Sequence, residues 1–126
     1  MSTAEQPDLP ARLRIRIHFG DSWMMGPGKA ELLERIARTG SIAAAGREMG
    51  MSYKRAWMLT ETLNAMFQAP LVDSTRGGPG GGGAVLTKTG QQVLAQYRAF
   101  ESQAALAGAE ALAALKTLMR DSPDGT

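Results

Sequence analysis

The chain has 126 residues, 44% of them apolar and 21% charged, with no cysteine and one histidine. That length supports a single core with at most a small appendage. The missing cysteines exclude a disulfide scaffold, a thiol nucleophile and any thiolate metal site, and His18 has no second imidazole to share a metal with. No apolar run approaches the roughly 18 residues of a membrane span, and the opening MSTAEQPDLPARLR lacks the apolar stretch of a secretory leader, so a cytoplasmic, non-catalytic module without cofactor or metal is expected.

Residues 1–11, with Pro7 and Pro10 among polar neighbours, read as a disordered lead-in. Leu13 to Phe19 then alternates apolar and polar, which predicts a half-buried strand with Arg14, Arg16 and His18 on its polar face. Residues 20–28 carry the turn signals Gly20-Asp21-Ser22 and Gly26-Pro27-Gly28, with Trp23, Met24 and Met25 covering the core between them. A helix over 29–39 places Leu32, Leu33, Ile36 and Ala37 on one face and ends at Gly40 in a left-handed cap. Ser41 is placed to cap a short helix from Ile42 to Met49, built from small residues and closed by Gly50. Ser52 caps a further helix, 52–68, with Ala56, Leu59, Thr60, Leu63, Met66 and Phe67 along one stripe, and Pro70 stops it. Two short β-type runs, Leu71–Asp73 and Ala84–Leu86, flank RGGPGGGG. A long helix follows over 87–120, with Gly108 as a point of bending, and residues 121–126 form a disordered tail.

Strand, helix, short helix, sharp turn, helix, hairpin and long helix make a mainly α fold with a small β component. This is a winged helix-turn-helix over 12–86 followed by a helix suited to dimerisation over 87–120. The small side chains of Ala43 to Gly46 allow two helices to cross closely, and Gly50 supplies the positive φ of a sharp turn.

The net charge of +2 hides an uneven distribution. Residues 35–90 hold seven basic and three acidic side chains, a net +4, while the rest of the chain sums to −2. A basic middle suits a polyanion-binding surface, and a solvated surface with chance clustering is the bland alternative. Within the helix-turn-helix layout, Ser52-Tyr53-Lys54-Arg55 opens the second helix with the end that meets bases and phosphates. Arg55 suits a bidentate contact to guanine or a grip on phosphate, Lys54 a phosphate contact, Tyr53 a hydrogen bond to phosphate, and Arg47 the backbone. The glycine stretch has two readings. A phosphate-cradling P-loop would need Lys-Ser/Thr directly after its last glycine, and here Ala84-Val85-Leu86 intervenes before Lys88-Thr89. A hairpin tip, or wing, whose bare backbone (Gly78 and Gly80 among it) approaches DNA while Arg76 reaches phosphate or minor groove, fits better.

Gly40-Ser41-Ile42, Gly50-Met51-Ser52-Tyr53-Lys54, Ala56-Trp57, Gly77-Gly78 and Gly80 to Thr87 with Gly90 resemble the N-terminal DNA-binding domain of the ModE family, molybdate-responsive bacterial regulators whose winged helix is similar to that of LysR-type regulators. The resemblance covers about residues 12–118. It implies a homodimer on a double-stranded, inverted-repeat operator, held together largely by the long helix. Carried over by position, the recognition segment is Ser52 to Trp57 and the wing is Arg76 to Gly83, with Tyr53 nearer the DNA and Trp57 mainly packing its helix. Full-length members continue into a molybdate-binding domain for which this sequence has no room, so direct oxyanion sensing is not expected. Pro79 stands where family wings often carry a basic residue, which removes about one unit from the salt slope of binding. The stripe Leu94, Tyr97, Phe100, Leu112 and Leu115 suits dimerisation, and packing on the chain's own core is its bland alternative. A second reading is an interaction protein that heterodimerises through 87–119 with a full-length regulator, and a third is an oxyanion or nucleotide binder using the glycine loop.

Overall fold

The computed structural model describes residues 11–75 and 82–120. The expected lead-in, wing tip and tail, including Arg76, Gly78 and Gly80, therefore lie outside the described residues. In chain order the elements are β1 (Ile17–Phe19), β2 (Trp23–Met25), α1 (Pro27–Thr39), α2 (Ile42–Glu48), α3 (Tyr53–Met66), β3 (Val72–Ser74), β4 (Ala84–Leu86), α4 (Lys88–Ala107) and α5 (Ala109–Leu118). The fold is mainly helical with two antiparallel strand pairs, β1–β2 and β3–β4, as a winged helix-turn-helix requires. Among the described residues no helix is long and apolar enough to cross a membrane.

Two compact units are distinguished: Arg14–Ala99, and the segment from Phe100 onward with the residues up to Leu13. The first holds a core around Leu32, Leu33 and Ile36 of α1, Ile42 and Ala45 of α2, Ala56 and Leu63 of α3, and Leu71, Val72 and Ala84 of the hairpin. Truncating a fully buried leucine here would cost about 2–5 kcal/mol, so the three-helix frame depends on these residues more than on any surface charge. Thr60, a buried polar side chain of that core, donates its hydroxyl to the Ala56 carbonyl at 2.8 Å. In the second unit α5 buries none of its residues.

Capping follows the local chemistry. Gly40 ends α1 at φ +73°, its amide bonded to the Ile36 carbonyl. Ser41 accepts the Ala44 amide at 3.0 Å and Ser52 the Arg55 amide at 3.1 Å. Between α2 and α3, Gly50 at φ +74° lets the Met51 amide reach back to the Gly46 carbonyl at 2.9 Å and its own amide reach Arg47 at 3.1 Å. That paired closure turns the chain in three residues. Gly46 lies where α2 meets α3: a Cβ there would come within 2.8 Å of the Ala56 Cβ.

Several expectations need correcting. The N-terminal strand is shorter than Leu13–Phe19, and residues 23–25, read as part of a turn region, form β2 and pair with it, Phe19 opposite Trp23. Phe19 and Trp23 are exposed, while Met25 enters the core and Ile17 packs against it, so the described hairpin is buried only at the end where Ile17 pairs with Met25. Ala37 is exposed, since the buried face of α1 runs through Ala30, Leu32, Leu33 and Ile36. Gly108 does interrupt the long helix, separating α4 from α5.

Candidate nucleic-acid interface

The helix-turn-helix is α2, the Gly50 turn and α3. Its basic residues divide into two groups by what surrounds them. Arg35 of α1 bonds Glu31 at 2.6 Å and Glu48 of α2 at 2.8 Å, and Arg38 also closes onto Glu48. The Arg38 guanidinium, and then that of Arg35, hold the Glu48 carboxyl below the usual glutamate range. Glu31 and then Glu48 in turn raise the Arg35 guanidinium above its ordinary value. These charges tie α1 to α2.

Arg47, Lys54 and Arg55 differ. They are exposed, and among the described residues no carboxylate pairs with their side chains. Arg47 comes from the last turn of α2, and Lys54 and Arg55 from the first turn of α3. Ser52 fixes that first turn by capping it, and Tyr53 beside it is 57% exposed. A groove of about 260 Å³ along α3 is lined by Ser52, Lys54, Arg55, Met58, Leu59 and Thr62.

The helical phase of α3 corrects one assignment. Ala56, Thr60 and Leu63 face the core, so Trp57 is not chiefly a packing residue: it is 44% exposed, and Met58 is 55% exposed. Met58 stands on the outer face with Glu61, which is also exposed, and Trp57 stands on the flank between that face and the core. At 100° per residue Met58 lies opposite the buried stripe and Trp57 about a quarter turn from it.

The hairpin is fastened to the same frame. Asn64 of α3 accepts the amides of Leu71 and Val72 at 2.8 and 3.0 Å, and Ala84 of β4 donates to the Gly40 carbonyl at 2.9 Å. Beyond the register Val72–Leu86, Asp73–Val85 and Ser74–Ala84, Thr75 and Gly83 exchange further bonds. The strands thus lead directly to the root of residues 76–81.

Of the stripe assigned to dimerisation, Leu94 packs against the core of its own unit and Tyr97 is 4% exposed, its hydroxyl donating to the Ile15 carbonyl at 2.5 Å. These two serve the fold of their own chain, because α4 begins by crossing the core. Arg98 next to Tyr97 pairs with Glu34 of α1 through Nε and Nη2, at 2.9 and 2.7 Å. Leu112 is half-buried, while Phe100 and Leu115 are exposed, as are Leu106, Leu118 and Met119.

Residues 28–91 match the family described as bacterial regulatory helix-turn-helix protein, lysR family. The chain is 49% identical over 78 residues to the molybdenum-pterin-binding protein MopB of Rhodobacter capsulatus, covering 62% of this chain and 29% of that protein. It is 47% identical over 97 residues to MopA of the same organism, with 77% and 36% covered. To the DNA-binding transcriptional dual regulator ModE of Escherichia coli K12 it is 35% identical over 89 residues, with 71% and 34% covered. The chain thus spans about a third of the length of these relatives. With α2, the Gly50 turn, α3 and the β3–β4 hairpin all inside the matched residues, the chain belongs to the lysR family of bacterial regulatory helix-turn-helix proteins, as a DNA-binding domain homologous to the N-terminal part of ModE, MopA and MopB.

Proposed function

We propose that this domain binds double-stranded DNA as a homodimer in the control of molybdenum-related genes, α3 entering the major groove and residues 76–83 acting as the wing. The observation that carries the reading is the cluster of cations at the start of α3, Lys54 and Arg55 with Arg47 before the turn, which have no carboxylate partner among the described residues. A polyanion is the partner that such a cluster accommodates. In this arrangement Arg55 reads a base or grips phosphate, Lys54 and Arg47 neutralise phosphates, Tyr53 and Ser52 bond the backbone, and Arg76, Gly78 and Gly80 meet DNA from the wing. The relatives named for molybdenum transport and molybdenum-pterin binding motivate the gene class.

The homodimer is supported by the exposed apolar side chains of the second unit, Phe100, Leu106, Leu115 and Leu118. Apolar surface of this extent on a helix usually marks a protein–protein contact. Sedimentation of the purified chain should give a dimer, and Phe100→Asp with Leu115→Asp should give a monomer; a monomeric parent protein would overturn the homodimer. Selection from a randomised duplex library, followed by anisotropy titration over a range of salt, tests the DNA reading. Enrichment of a sequence motif is expected, and Lys54→Ala should reduce the salt slope by about 1. Failure of any duplex to enrich would overturn it.

A further inference from the structure

The outer face of α3 carries an apolar side chain that the DNA reading has not used. Met58 follows Ala56 by two positions and precedes Thr60 by two, so at 100° per residue it points about 200° from each of these buried residues, away from the core. It is more than half exposed and lines the groove along α3 with Lys54, Arg55, Leu59 and Thr62. Lys54 lies one turn before it and Glu61 just under one turn after it. A flexible thioether in that place, beside cations that have no carboxylate partner among the described residues, implies a partner that is polyanionic overall and apolar at one point.

Resting on the DNA reading above, we infer that Met58 is a specificity determinant that recognises the 5-methyl group of thymine in the major groove. The chemistry is restrictive. Base edges there present nitrogen and oxygen donors and acceptors, and thymine alone adds an apolar group. Met58 has no hydrogen-bonding hydrogen and only a weak acceptor sulfur, so it discriminates by burying hydrocarbon against hydrocarbon. Lys54 and Arg55, close by on the same helix, hold the duplex against it. A protein partner fits less well: the two cations lining this groove, Lys54 and Arg55, outnumber the single carboxylate of this face, Glu61.

The test uses the full chain and a duplex selected from a randomised library, resynthesised with deoxyuridine replacing thymidine one position at a time. Base pairing is retained and only the methyl is lost. At one or more positions the parent protein should bind about fourfold more weakly, the value of one buried methyl-sized group. Met58→Ala and Met58→Gln, both at an exposed position, should bind the thymine and deoxyuridine duplexes alike. A deoxyuridine penalty of the same size in the parent and in both variants, or no penalty at any position, overturns the inference while leaving DNA binding intact. If no duplex enriches at all, the DNA reading itself fails, and the inference with it.

Discussion

Two groups of cations within one helical frame behave as opposites. Arg35 and Arg38 of α1 are closed onto Glu31 and Glu48, whereas Arg47, Lys54 and Arg55 around the Gly50 turn stand open. Charge counted along the sequence treats the two groups alike, and the +4 of residues 35–90 includes both. Carboxylates separate them: one group holds helices together, and the other is the group proposed above to meet an anion. Position relative to the nearest acid, more than abundance of base, locates a polyanion surface.

The comparison breaks first if the open group is not the binding group. Replacing Arg47, Lys54 and Arg55 together by alanine should weaken binding to a selected duplex roughly a hundredfold and lower the salt slope by about 3, read by anisotropy. Arg38→Ala, from the clasped group, should leave that slope unchanged. Next in size is the geometry that brings the open group together. Gly46→Ala forces a Cβ against Ala56 and should lower stability by about 1–3 kcal/mol in a denaturant titration, with weaker DNA binding alongside. Ser52→Ala removes the cap on the turn that carries Lys54 and Arg55, at a cost of about 1 kcal/mol seen in the same titration.

The smallest effect sharpens the clasped side. Glu48 binds a proton less readily in the folded chain, chiefly through Arg38 and then Arg35, than it would unfolded. Its contribution is therefore complete above the ordinary carboxyl range and is lost as pH falls through that range, about pH 5 to 3, toward the lowered value. Thermal melts of Glu48→Gln should lose less stability over that window than those of the parent. Equal slopes would mean that the clasp carries no linkage.

Much of the frame was legible from residues because its chemistry is local. Ser41 and Ser52 cap, and Gly40 and Gly50 turn, within three or four residues of themselves, so spacing alone revealed them. The order of helices and hairpin followed from those stops. Less legible were relations between distant residues. The pairing of Ile17–Phe19 with Trp23–Met25 was obscured by glycine and proline on both sides, and the Glu48 clasp joins residues ten and thirteen positions apart. Tyr97 looked like one of a row of contacts for a second chain, yet its hydroxyl bonds a carbonyl 82 residues away. At the site, the exposure of Lys54 and Arg55 on the first turn of α3 follows from their place just after the Ser52 cap. Trp57 is large enough to suggest burial, but its phase a quarter turn from the buried stripe leaves it 44% exposed, and Met58, opposite that stripe, is more exposed still.

Thr87 donates its hydroxyl to the Pro70 carbonyl at 2.6 Å and accepts the Gly90 amide at 3.0 Å, and its own amide bonds the Leu71 carbonyl at 2.9 Å. Gly90 lies so close to that carbonyl that a Cβ would overlap it. The base of α4 and the root of the hairpin are therefore mechanically one piece. A single methyl group at position 90 would meet the Leu71 carbonyl and pry the first turn of α4 away from the segment that enters β3.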